Sequence, residues 1–266
     1  MLFCSSIFRP QILKPVLIAV LATLLLAGCG SGKKKPDENE NLSARQFYNK
    51  AKDDLNRGNY NEAILNYQQL EARYPYGPFA EQAQIDIAYA HYKNDSPELA
   101  LAGVERFIRL HPTHERVDYA YYLRGLTSFT EDNSLLSKFA GTTEISERDP
   151  KAVLEAFNAF KELVTRFPNS QYVDDSRQRM AYLLNGLAQH DIKVARYYLK
   201  HGAYVAVLSR AKYVVENYQT TPSVEEALGL MATAYREMGI RDLEADTLRV
   251  LKENFPDSIY LSQLDG

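Results

Sequence analysis

Residues 43–75 read SARQFYNKAKDDLNRGNYNEAILNYQQLEARYP. Ala44, Phe47, Tyr48, Ala51 and Leu55 recur at the three- and four-residue steps of one helix face. Ala63, Ile64, Tyr67 and Leu70 do the same after a break at Arg57-Gly58-Asn59-Tyr60. A Gly at such a break supplies the left-handed backbone that ends a helix. The stretch closes on Arg73-Tyr74-Pro75, and a proline there cannot continue the helix. The pattern predicts two short amphipathic helices joined by a tight turn.

The closing motif returns along the chain. Tyr74-Pro75 is followed by His111-Pro112, Phe167-Pro168, Tyr218-Gln219 and Phe255-Pro256, at intervals of 37, 56, 51 and 37 residues. The two longer intervals exceed 37 by 19 and 14 residues, so two units carry insertions. Thirteen residues after each closing position stand Ala88, Gly125, Ala181 and Ala232, and Ala51 takes that place in the first unit. A small residue there lets two helices approach closely. Gly58/Tyr60 and Gly202/Tyr204 enter second helices, and Gly239 repeats the turn. The pattern resembles tetratricopeptide repeats, whose unit is 34 residues. The expected fold is all-α: a superhelical array of five tetratricopeptide-like helical hairpins, at about 43–75, 76–112, 113–168, 169–219 and 220–256 within a domain spanning 43–258, with a short tail at 259–266. Each unit of such an array buries its face only against the next, which leaves a long groove.

The 19-residue insertion falls at Thr130–Arg148, polar and rich in Gly, Thr and Ser; it reads as a protruding loop with a short helix at Leu135–Phe139. The 14-residue insertion lies in LLNGLAQHDIKVARYYLKHG (183–202), which lacks proline. It predicts one long helix from about Val173 to Lys200 that stands out of the array. At Gln219-Thr220-Thr221-Pro222 the closing proline is displaced, which predicts a looser join between the fourth and fifth units.

The N-terminus has a different character. Val16–Ala27 is an apolar run of 12 residues behind Arg9 and Lys14. A spanning helix needs about 20, whereas a basic stretch and a short apolar core form a secretory signal. Its end, Leu26-Ala27-Gly28-Cys29, resembles the lipobox of bacterial lipoproteins. That resemblance implies removal of residues 1–28 and lipidation of Cys29. Gly30, in place of an aspartate, favours the outer membrane, with the chain facing the periplasm. Residues 29–42 then form a lipidated, disordered tether of about 20 Å reach. Lys33–Lys35 either touch anionic headgroups or form a solvated charge run.

Composition narrows the function further. The chain has 266 residues, no Trp, 19 Tyr and 11 Phe. Loss of Arg9 and Lys14 takes the net charge from −3 to −5, which argues against a nucleic-acid partner. Loss of Cys4 leaves Cys29 alone, so no intrachain disulfide is expected. His111 and His114 have a metal-like spacing but fall on a turn between units. No nucleotide-binding, zinc-hydrolase, redox or nucleophile-elbow motif is present. A binding protein without metal or cofactor is the expectation, not an enzyme.

Several longer stretches carry a more specific likeness: RYPYGPFAEQAQIDIAYAHYKN (73–94), RFIRLHPTHERVDYAYYLRGL (106–126), SERDPKAVLEAF (146–157), FPNSQY (167–172) and YYLKHGAYVAV (197–207). Together they resemble the BamD family, lipoproteins with five tetratricopeptide repeats in the outer-membrane β-barrel assembly machinery of Gram-negative bacteria. The resemblance implies a scaffold that binds the periplasmic part of the barrel subunit BamA, other lipoproteins of the complex and unfolded β-barrel clients. A pilotin-like lipoprotein escorting secretin subunits is the alternative.

Clients of that family end in an amphipathic strand with a terminal aromatic and carboxylate, so a receptor wants aromatic surface and a cation. Tyr74, Tyr76, Phe79, Asp86, Tyr89, Tyr92 and Arg210 are the client-peptide candidates. Core packing is the competing use for each aromatic, and an inter-helix ion pair for Arg210. Arg210, Tyr204 and Tyr235 are candidates for docking the barrel subunit.

Overall fold

The structure, a computed structural model, describes residues 41–131 and 145–264. Cys29, the signal and tether segments and the expected helix at 135–139 lie outside the described residues. The described chain is helical throughout. Five hairpins follow one another: α1 (Ala44–Asn56) with α2 (Tyr60–Arg73); α3 (Pro78–Lys93) with α4 (Pro97–Leu110); α5 (Val117–Glu131) with α6 (Pro150–Arg166); α7 (Val173–Lys200) with α8 (Tyr204–Asn217); α9 (Ser223–Glu237) with α10 (Arg241–Asn254). A short α11 (Ile259–Leu264) follows.

Local chemistry explains the boundaries. Ser43 caps α1 in a reciprocal capping box with Gln46. Pro78, Pro97 and Pro150 open their helices at the first turn, where a missing N–H costs nothing. Four hairpin turns hold a residue with positive φ: Gly58, Asp95, Gly202 and Gly239. The closing residue of every unit caps its second helix: the N–H groups of Tyr74, His111, Phe167, Tyr218 and Phe255 donate to Leu70, Phe107, Leu163, Val214 and Leu251 at 2.7–2.9 Å. The five acceptor residues are fully buried, so the repeat motif marks the core of each unit.

Three expectations need correction. The small position of the fourth unit is Ala195, not Ala181. Ala181 is exposed, whereas Ala195 is buried and stands seven residues before Gly202, as Ala51, Ala88 and Ala232 stand before Gly58, Asp95 and Gly239. The 14 added residues lie upstream of that point and displace the count taken from Pro168. Secondly, α7 does not stand out of the array. It buries residues along its whole length, from Val173 and Ser176 to Ile192 and Ala195, because α6 lies along its first half. The insertion after α5 likewise ends in the core: Ile145 and Ser146 are buried, and Ile145 sits over Gly186 of α7. Thirdly, the join at Tyr218–Pro222 is closed. Thr221 donates from both its N–H and its hydroxyl to the Tyr218 carbonyl, at 3.0 and 2.8 Å, in place of the lost proline.

Candidate binding groove

The first helices of the first three hairpins enclose a groove of about 520 Å³. Lys52 and Asn56 of α1, Tyr60 of α2, Tyr89 and Lys93 of α3, and Arg116 and Tyr119 at the start of α5 line it, with Asp86 at its base. Repetition builds it. Lys52 and Tyr89 each follow the small residue of their unit by one position, and Asn56 and Lys93 by five. The same helix face therefore recurs along one side of the array.

Asp86 organises the base. It is 2 % exposed. Its Oδ2 accepts from Tyr48 at 2.7 Å, Tyr67 at 3.1 Å and Lys52 at 3.2 Å, and its Oδ1 accepts from Gln82 at 3.1 Å. Three helices converge on one carboxylate. Burial, reinforced by that carboxylate, pushes the Tyr48 and Tyr67 phenols far above their ordinary range, so both remain donors. Burial does the same to Tyr119, over whose ring the Arg116 guanidinium sits at 4.9 Å. Tyr119 packs on Tyr172 at 5.4 Å, and Tyr172 stacks on Tyr122 at 4.6 Å with the planes 14° apart. An aromatic strip thus continues from the groove into the fourth unit.

Of the residues expected at a client site, Tyr89 and Asp86 fall here, in different roles. Tyr89 is half-buried and lines the groove; Tyr92 packs beside it at 6.4 Å. Asp86 is not a free contact, because four protein donors occupy its oxygens. Phe79 is engaged by Tyr48 at 5.6 Å and by Arg45 above its ring. Tyr76 is 91 % exposed on the loop before α3. Tyr74 is half-buried at the end of α2 with Arg73 over its ring, and does not line the groove. Arg210 lies in the fourth unit, where its Nη1 donates to Asp191 Oδ1 of α7 at 3.0 Å. Tyr74 and Arg210 therefore do not share the groove as a pair. Tyr204 donates to Glu237 at 3.3 Å, linking α8 to α9, and Tyr235 is half-buried on α9.

Lys52, Asn56, Tyr60, Lys93, Arg116 and Tyr119 were not anticipated. The spacing of Lys52/Tyr89 and Asn56/Lys93 from the small residues was the signal that could have found them. His111 and His114 form no metal site: among the described residues no cluster could hold an ion. His111 meets Gln84, and His114 Nδ1 accepts from the Arg116 N–H. Among the described residues no helix is long and apolar enough to cross a membrane.

A family profile described as outer membrane lipoprotein, YfiO, matches residues 40–251. The chain belongs to this family. It is 46 % identical over 253 residues to the outer membrane protein assembly factor BamD of Neisseria gonorrhoeae, covering 94 % of each chain. It is 37 % identical over 238 residues to the protein of that name from Vibrio cholerae, covering 90 % of this chain and 97 % of that one. Among solved structures, TPR-like repeats of a Podosopora anserina kinesin light chain align over 79 % of this chain and 92 % of theirs, at 14 % identity and a TM-score of 0.39. Family membership assigns the protein to the outer membrane.

Proposed function

We propose that this protein is a lipid-anchored, periplasm-facing scaffold of outer-membrane β-barrel assembly. Its first groove takes C-terminal segments of unfolded barrel clients. Its fourth and fifth units, around Arg210, Tyr204 and Tyr235, dock the periplasmic part of the barrel subunit. Relatives named as outer membrane protein assembly factors support the setting. The observation that carries the client role is the groove itself: three tyrosines and three cations around a carboxylate already saturated by protein donors. With Asp86 satisfied, Lys52, Lys93 and Arg116 give the opening a positive character suited to a terminal carboxylate. Tyr60, Tyr89 and Tyr119 offer contact area for an aromatic side chain at low entropic cost.

The test is titration of a labelled client-terminal peptide against the full-length protein and its Lys93→Ala, Arg116→Ala and Tyr89→Ala variants. Weakening of about tenfold or more is expected for at least one of them, with a further loss when the terminal carboxylate is amidated. Unchanged affinity in three folded variants would remove the groove from the client role. Anchoring is tested separately: Cys29→Ala should leave the outer-membrane fraction once the barrel partner is depleted.

A further inference from the structure

A second cavity, of about 650 Å³, lies between α7 and α9. We propose that it is a recognition site for an extended, acidic polypeptide segment, read largely through its main chain. The inference rests on the scaffold reading and adds to it a second, separate peptide site.

The wall of the cavity is one face of α7. Tyr182, Asn185, Gln189, Lys193 and Arg196 line it, three or four residues apart, with Glu226 of α9 opposite. Asn185, Gln189 and Lys193 succeed one another at four-residue steps, about 6 Å along a helix axis. Alternate residues of an extended chain are about 6.6 Å apart. Two carboxamides so placed meet alternate peptide units of a strand running along α7, and each offers both a donor and an acceptor. Asn185 Oδ1 is one of three buried polar side-chain atoms among the described residues that lack a hydrogen-bond partner. Such an acceptor needs a donor from outside the chain, and a peptide N–H supplies one.

Charge selects the occupant. Lys193 and Arg196 stand against Glu226 alone, and Arg196 is fixed by a two-pronged ion pair with it. The lining is positive by one, so the segment that complements it carries an acidic side chain.

The cavity belongs to the inserted part of the fold. The first helices of the other four hairpins have 13, 16, 15 and 15 residues, whereas α7 has 28. Ile145 closes one end of the cavity and rests on Gly186, where a Cβ would come within 2.5 Å of it. In the second unit the registers of Lys193 and Gln189 are held by Asp86 and Gln82, which bond each other inside the protein. In the fourth unit those registers line open space.

The experiment uses full-length protein and labelled, overlapping peptides of about 12 residues, long enough to run past the cavity at roughly 3.3 Å per residue. They tile the periplasmic part of the barrel subunit and the accessory lipoproteins from the same cell. At least one acidic tile should bind. Gln189→Glu, an exposed change that leaves the fold intact, and the Asn185→Leu/Gln189→Leu pair should each weaken it about tenfold. N-methylation of alternate peptide nitrogens should abolish binding in at least one of the two phases. No tile binding, equal binding by both variants, or indifference to methylation in both phases would each overturn the site. The client-terminal peptide should bind all these variants as it binds the wild type. A wild type that fails with the client peptide counts against the scaffold reading, and one that fails only with the tiles counts against this cavity.

Discussion

Arg210 Nη1 reaches Asp191 Oδ1 at 3.0 Å and ties α8 to α7 across the fourth hairpin. The Asp191 side chain is 8 % exposed and that of Arg210 48 %, so the carboxylate depends on the cation more than the reverse. Arg210→Ala leaves a buried charge without its partner. Because the cation is half in water, the cost should fall below that of a fully buried pair, at about 1–2 kcal/mol. Urea unfolding of Arg210→Ala, Asp191→Asn and the double variant should give a double change smaller than the sum. If Arg210→Ala is as stable as wild type, the pair holds nothing. A docking role for Arg210 then requires that the double variant, with no orphan charge, still loses affinity for the barrel subunit.

Asp86 should be among the least replaceable groove residues although no ligand touches it. Asparagine offers one acceptor oxygen where Tyr48, Tyr67 and Lys52 converge on Asp86 Oδ2, and it turns a donor toward one of them. We expect Asp86→Asn to cost about 2 kcal/mol, since Lys52 can partly resolvate. Client-peptide affinity should fall further than in Lys52→Ala, because three helices lose their common acceptor. Equal affinity in the two variants would reduce Asp86 to a simple partner for Lys52.

The hairpins were legible because the physics that makes them is local. Tyr74-Pro75 and its counterparts end helices wherever they occur, and Gly58, Gly202 and Gly239 adopt the positive φ that a side chain resists. Asp95 escaped notice at the matching turn, since a short polar side chain tolerates that backbone without a sequence signature. Counting forward from Pro168 pointed to Ala181, but the helix pair is set by its turn, so counting back from Gly202 finds Ala195. The groove was half visible. Tyr89 stood in an aromatic cluster, yet Arg116 and Tyr119 come from the next unit, and only packing brings them beside Lys52 and Lys93.

Two interior glycines allow close approach, with different consequences. A Cβ on Gly125 would lie 2.5 Å from the Phe160 ring, which is fully buried in the core. A Cβ on Gly229 would lie equally close to Tyr260 of the six-residue α11. Phe160 cannot retreat, so Gly125→Ala should cost about 1–3 kcal/mol by overpacking. Tyr260 can leave with its short helix, so Gly229→Ala should cost less than about 1 kcal/mol while speeding proteolysis after Asn254. Chemical denaturation and limited proteolysis of the two variants check the contrast. A global loss in Gly229→Ala equal to that in Gly125→Ala would show α11 to be integral to the core.

The Tyr122–Asp175–Arg179 cluster should make part of the stability acid-sensitive. Partial burial tends to raise the Asp175 carboxyl, but hydrogen bonds from Arg179 at 2.6 Å and Tyr122 at 2.7 Å, with the guanidinium charge, outweigh it and hold it below the ordinary carboxylate value. Burial and the bond to Asp175 push the Tyr122 phenol up to about 12, so it stays a donor across the accessible range. A carboxyl whose folded value is depressed stabilises the fold above its unfolded value, near 3.9, and that stability fades as pH falls through the folded value. Asp175 is 45 % exposed, so the contribution is screened and should stay below about 1 kcal/mol. Wild type and Asp175→Asn should therefore differ in urea midpoint at pH 7 and converge below about pH 3. Groups that titrate alike in both proteins cancel in that difference. A gap that persists undiminished into acid would mean that Asp175 acts through shape and not through charge.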